Sequence, residues 1–286
     1  MRYCGKEFSH EELASINKII ADNPKANRCF LSKAVCEAFG WRKPDGHLKE
    51  MSCRVAMIRM HRDGVIKLPP PMFSNNNGKK YSIKSTQSDD PGFIFTVPAG
   101  EIKELSVSLV GGKSESRLWN EYIHRYHYLG YKPLPGAQLR YTVKFQDQVL
   151  ALLGFGSSVW MTAPRDRFIG WTHEQREQRL HLVVNNARFL ILPWVRSRNL
   201  ASKVLALVAG RLSEDWQNRY NYRPVLLETF VEVQKFVGTS YKAANWHCLG
   251  NTQGRGKLDS RHLNPEPIKS VWVYPLDKNF RQILCS

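Results

Sequence analysis

Apolar positions recur at helical spacing in the first quarter of the chain and at strand spacing through much of the rest. Ser9-His10-Glu11-Glu12 opens the helical part with a hydroxyl at the cap and a carboxylate three residues on, the pattern of a capping box. Leu13, Ile16, Ile19 and Ile20 then fall on one face of a first helix. A second helix is predicted from about Phe30 to Phe39, stopped by Gly40, and a third from about Leu48 to Arg62, stopped by Gly64. In the third, Met51, Val55 and Ile58 form the apolar stripe, with Lys49, Ser52, Arg54, Arg59, His61 and Arg62 around it. Val65-Ile66-Lys67-Leu68 reads as a strand, and Pro69-Pro70-Pro71 closes the unit. Three helices and a strand within residues 1–72 outline a winged helix-turn-helix whose third helix would enter a DNA groove.

Residues 73–101 are polar, rich in Asn and Gly and without apolar period, so they read as a linker or a wing. A second pattern occupies residues 102–286. Leu105–Val110 alternates as a strand, Ser116–Tyr128 as a helix, and Leu139–Phe145 with Val149–Phe155 as a hairpin. A polar helix is predicted at His173–Val184, a strand at Ala187–Leu192, a long helix at Asn199–Trp216, and strands at Val225–Val231 and Ser270–Tyr274. Hairpin strands followed by strand, helix, strand describe a mixed sheet flanked by helices, so the chain as a whole is of the α+β class.

Composition adds a partner. The chain of 286 residues carries 42 Lys and Arg against 25 Asp and Glu, a net charge of +17. Residues 1–72 hold 13 basic and 8 acidic side chains, which leaves 29 and 17 for the remainder, so no single basic tail explains the excess. A polyanion is the partner such a charge suits best, and nucleic acid is the commonest one. No apolar run approaches a membrane span and the N-terminus lacks the apolar core of a signal peptide, so a cytoplasmic protein is expected. The six cysteines form no C-x-x-C pair, and neither a metal site nor a disulfide framework is expected of them.

Two resemblances refine this outline. The strand and helix order of the second part is similar to that of the Gcn5-related N-acetyltransferase (GNAT) superfamily, which implies a GNAT-like mixed-sheet α/β domain after the winged helix. That family holds a cofactor pyrophosphate at the turn corresponding to Trp194–Lys203. This chain offers Arg196, Asn199 and Ala201 there without the family's glycines, and the residues name no cofactor or acyl donor. The second resemblance covers most of the chain. Trp41–Lys49, Gly64–Pro71, Tyr126–Gly130, Arg165–Trp171, Asn185–Pro193, Asn199–Ser202 and Gly238–Trp246 resemble the DruA family of the Druantia anti-phage system. It implies a DNA-binding defence component working with other Druantia proteins such as a helicase. Asn199-x-x-Ser202 and Gly238–Trp246 are also similar to Mom-type proteins, GNAT relatives that modify adenine in phage DNA.

Several polar groups lie close to apolar strands and carry the candidate chemistry. Glu228 is a general base if burial raises its pKa, Tyr241 a proton donor or stacking partner, and His127 an acid or base. Asp166 would orient Arg165 or Arg167 on a phosphate, and Ser202 completes the catalytic candidates. A nucleobase pocket is expected between the strands at Ala187–Leu192 and Val225–Val231, lined by Arg188, Asn199, Ser202, Glu228, Tyr241 and Trp246. In the competing reading Glu228 pairs with Arg188 across neighbouring strands and no ligand enters. Lys49, Arg54, Arg59, Arg62, Arg198, Arg255 and Lys257 complete the expected nucleic-acid contacts. No P-loop, nucleophile elbow or zincin motif is present. Three functions remain open: a DNA-binding defence component, a GNAT-type transferase acting on a DNA base, and a transposon-derived binder without catalysis.

Overall fold

Ser9 caps helix α1 (His10–Asp22) as its sequence requires: the hydroxyl accepts from the Glu12 amide, and the Glu12 carboxylate accepts from the Ser9 amide. A two-strand hairpin, β1 (Arg2–Tyr3) with β2 (Lys6–Glu7), precedes it. Helices α2 (Arg28–Ala38) and α3 (Glu50–Arg62) follow. The computed structural model describes residues 1–73, 83, 94–255 and 265–286, and the chain divides into two units, Met1–Tyr81 and Ser82–Ser286.

The helical trio of the first unit is present, but the winged helix-turn-helix is not established. Val65–Leu68 has no strand partner among the described residues. The Leu68 amide donates to His61 Nδ1 at 3.3 Å, while Ile66 and Leu68 enter the core. The side chain of the last helical turn thus does what a neighbouring strand would have done. The face of α3 is also corrected. Its buried residues are Cys53, Ala56, Met57 and Met60, whereas Met51 (63% exposed) and Val55 face solvent. The wing reading of the stretch after Pro71 falls largely on residues 74–82 and 84–93, outside the described residues.

The second unit is built on a seven-stranded sheet in the order β3-β4-β5-β6-β7-β9-β8. Its strands are β3 (Ser106–Leu109), β4 (Gln138–Phe145), β5 (Gln148–Ser157), β6 (Val183–Ile191), β7 (Leu226–Glu232), β8 (His247–Asn251) and β9 (Lys269–Pro275). Helices α4 (Lys113–Tyr126) and α7 (Leu200–Tyr220) cover opposite faces. Trp119 of α4 packs on Gly154, where an added Cβ would meet its ring at 3.2 Å. Tyr141, across from Leu153 and so on the other face, donates to Asp215 of α7 at 2.9 Å. Three short helices complete this part: α5 (Ala163–Ile169) and α6 (His173–Arg179) between β5 and β6, and α8 (Thr239–Ala243) after β7; α9 (Phe280–Leu284) ends the chain.

Neighbouring strands run antiparallel except β6 and β7, which are parallel. The polar helix predicted over His173–Val184 ends at Arg179, and β6 begins at Val183, because Val183 and Val184 are buried beside Leu226 and Leu227. Residues at the end of the predicted linker also belong here. Phe95 pairs with the strand-like segment at Val195, and Phe95, Ala99 and Ile102 are buried in the main core. No described helix is long and apolar enough to cross a membrane.

Candidate functional site at the parting of two parallel strands

β6 and β7 are in register for only three residues, Val183–Asn185 against Leu226–Glu228, and then separate. A β-bulge lies where the pairing passes from Gly154–Arg188 to Phe155–Asn186, so Ala187 is the extra residue. Without it Asn186 and Arg188 would share a face. The bulge instead puts Arg188 on the α4 side, with Gly154, and Asn186 on the α7 side, with Phe155.

Arg188 is half-buried in this parting. Its Nη1 donates to its neighbour's carbonyl, Ala187 O, at 2.7 Å, its Nε has no partner, and it forms no ion pair among the described residues. Burial lowers the pKa of its guanidinium. Beside it, at the end of α4, stand His127 and Tyr128, their rings stacked at 4.9 Å. Burial first, and the Arg188 charge second, hold His127 down to about 4, so the ring is neutral at physiological pH. Its Nδ1 accepts from the Leu129 amide. Tyr128 is raised by burial and then by Glu232. Phe236 lies 5.3 Å from the Tyr128 ring, and Lys235, paired with Glu232 at 2.9 Å, sits 4.8 Å over that ring. The sequence reading selected Arg188 and His127 but missed Tyr128, Glu232, Lys235 and Phe236. The available signal was an exposed aromatic just past the end of a buried strand, next to an acid and base three residues apart.

On the opposite face the gap is filled from within. Tyr241 of α8 donates to Asn186 Oδ1 at 2.8 Å, and Thr229 of β7 donates to the Asn186 carbonyl at 3.0 Å. Trp246 packs on Tyr241 with ring centroids 5.1 Å apart, and both are buried. Gly238 makes this closure possible: it has φ 79°, and a Cβ there would stand 2.6 Å from the Trp272 ring. Burial pushes the Tyr241 hydroxyl pKa up, as expected of a structural phenol.

Glu228 is elsewhere than the expected pocket. It adjoins Thr229 on β7 and therefore points to the other face. There its Oε2 receives Arg165 Nη1 at 2.9 Å and its Oε1 receives the Val159 amide at 2.9 Å. Both side chains of the pair are 0% exposed. The competing reading correctly anticipated an arginine partner, but the partner is Arg165 rather than Arg188. Asp166 belongs to the same network, accepting from Arg165 Nη2 at 2.7 Å, from the Thr162 amide at 3.1 Å and from Trp171 Nε1 at 3.1 Å. Asp166 does orient Arg165, but into the protein, so that guanidinium has no surface left for a phosphate.

The remaining candidates are dispersed. Arg167 is exposed on α5 and forms no ion pair among the described residues. Ser202 donates to the Asn199 carbonyl in the first turn of α7, and Arg198 and Asn199 are exposed just before it. That turn does not fit a pyrophosphate: it has no glycine, Asn199 has φ 62°, and the Arg196 amide donates to Phe95 O at 2.8 Å. In the first unit Arg59 and Arg62 are exposed on α3 and Lys49 is its half-buried N-cap. Arg54 turns inward, donating to Cys29 Sγ at 3.0 Å and to Ser32 Oγ at 3.5 Å. Arg255 is exposed beside Gln253, and Lys257 lies outside the described residues.

Residues 60–265 match the family model described as Druantia protein DruA. No curated protein matches the sequence. Solved structures give weaker likenesses. The ribosomal-protein-S18-alanine N-acetyltransferase from Escherichia coli is 7% identical over 61% of this chain and 95% of its own, with a TM-score of 0.38. The spermidine/spermine N-acetyltransferase SpeG from Vibrio cholerae is 10% identical over 62% of this chain and 96% of its own, with a TM-score of 0.39. An acetyltransferase of the GNAT family from Streptococcus pneumoniae is 8% identical over 61% of this chain and 100% of its own, again at 0.39. At TM-scores this low, no site or activity is transferred from them.

Proposed function

Since this chain belongs to the DruA family, a component of Druantia defence, we propose that it recognises nucleic acid and does so at the parting of β6 and β7. The observation that carries the reading is Arg188, a half-buried guanidinium without a carboxylate among the described residues. A buried charge is stabilised by a counter-charge, and a phosphate supplies one with two oxygens that can accept from the planar guanidinium side by side. The exposed Tyr128 and Phe236 rings offer bases a stacking surface, each stacked base contributing ~1–3 kcal/mol. Lys235 beside them supplies a cation to the backbone. Recognition is favoured over group transfer, because Tyr241 and Trp246 fill the gap from the α7 side and the turn before α7 lacks a phosphate cradle. Bound nucleic acid would pass to other components of the system, a helicase among them.

Fluorescence anisotropy with single-stranded and duplex oligonucleotides tests this. Arg188→Ala should weaken binding to the favoured form by about ten- to a hundredfold, as expected when one charge-assisted hydrogen bond of ~1.5–3 kcal/mol is removed. A folded Arg188→Ala chain that binds as the parent does would refute the site.

A further inference from the structure

Two unfavourable features lie back to back in the connection between β5 and α5. On the inside is a fully buried ion pair, Arg165 with Glu228. On the outside are three consecutive apolar side chains in solvent: Val159, Trp160 (48% exposed) and Met161 (66% exposed). Burying a charge pair in place of apolar groups is at best neutral for stability. Leaving Trp and Met in water forgoes their burial.

The buried charges hold the backbone of the exposed residues. Arg165 Nη1 donates to the Val159 carbonyl at 2.8 Å and to Ser158 Oγ at 2.8 Å. Glu228 accepts from the Val159 amide, Arg165 Nη2 reaches the Trp160 carbonyl at 3.5 Å, and Asp166 accepts from the Thr162 amide. The loop is therefore fixed on both sides of its exposed tip. Arg176, nine-tenths buried, stands 5.5 Å from the Trp160 ring and pairs through Nη1 with Asp166 at 3.5 Å, leaving its Nε unpartnered. Glu228 faces the same side of the sheet as Asn185, its register partner, and hence as Arg188. The apolar tip and the unpaired arginine thus belong to one face.

We propose that Val159-Trp160-Met161 is a preorganised apolar finger that inserts Trp160 or Met161 into the base stack of nucleic acid bound at Arg188. The proposal rests on the reading given under Proposed function and extends it to a second, separate contact. Nucleic acid is the occupant that the charges favour: Arg188, on the same face, has no ion-pair partner among the described residues, and the chain carries +17 overall. An apolar wedge between bases unstacks them at a cost recovered through the added contact, and a loop fixed in advance loses little conformational entropy on entering.

The test uses the full chain and a single-stranded oligonucleotide carrying a fluorescent adenine analogue that is quenched by stacking. Fluorescence should rise when the parent protein binds. Trp160→Ala combined with Met161→Ala should abolish the rise and weaken affinity about tenfold, while Trp160→Phe keeps both. Met161→Asp, at a solvated position, keeps the fold and should weaken binding by placing a negative charge against the strand. Binding that depends on Arg188, yet shows no fluorescence change and is indifferent to all three variants, overturns the finger alone. No binding by the parent overturns the finger together with the nucleic-acid reading. Unchanged binding with a shift in oligomeric state, or with lost phage protection, assigns the tip to protein contacts and also overturns the proposal.

Discussion

Neutralising Glu228 leaves the Arg165 guanidinium in the protein interior with Asp166 as its remaining carboxylate. Glu228→Gln should therefore lower the unfolding free energy by about 2–3 kcal/mol, somewhat below the usual penalty for breaking a buried pair because Asp166 still offsets part of the charge. Denaturant unfolding measures it, and a loss below the error of that measurement would show that the pair is not structural. His127 behaves differently because its folded pKa is depressed, from 6.5 to about 4. Between those values the unfolded chain binds the proton and the folded chain does not. The contribution of His127 is thus intact above about pH 6.5, falls as the pH drops towards about 4, and levels off below. His127→Asn retains an acceptor for the Leu129 amide and removes the titration, so it should lose less stability than the parent between neutral and mildly acidic pH. Parallel pH dependence in the two proteins would contradict the burial argument.

At the level of elements, α3 shows how periodicity leaves a choice open. It carries two apolar stripes, Met51-Val55-Ile58 and Cys53-Ala56-Met57-Met60, and either satisfies helical spacing. Packing on α2 selects the second, leaving Met51, Val55, Arg59 and Arg62 along one exposed line. That line keeps α3 a candidate for binding phosphate through its last turn. Replacing Arg59 and Arg62 together with Ala should weaken binding equally on all sequences. It should also flatten the dependence of log affinity on log salt, by roughly 0.9 for each duplex phosphate no longer neutralised. A salt slope identical to the parent's would place the phosphate-binding cations away from α3. β6 and β7 make the complementary point: β7 was legible as an apolar run and β6 only from Ala187 onward, and a three-residue register and one bulge decide what faces the gap between them.

For the molecule as a whole, the basic excess is shared, 13 against 8 in residues 1–72 and 29 against 17 in the rest. Both parts of the sequence therefore carry a net positive charge that suits a polyanion. The span matched by the DruA family model, residues 60–265, includes the whole parting of β6 and β7.

The sequence alone determined what depends on local chemistry. The Ser9 capping box, the three N-terminal helices, the hairpin of β4 and β5, the long helix before β7 and the mixed sheet all follow from short-range spacing and turn residues. The buried carboxylate at Glu228 was also legible as one that needed a partner. Tertiary structure decided whatever depends on residues far apart in the chain. Glu228 and Arg165 meet across 63 positions, Tyr241 and Asn186 across 55, and His127 and Arg188 come together only once α4 lies on β6. Alternation within a strand then sends Glu228 and Thr229 to opposite faces, turning one expected pocket into a buried ion pair on one side and a packed hydroxyl network on the other. A pattern of spacing records which residues want burial or a partner; only the fold, by setting register and bulge, decides which partner each one finds.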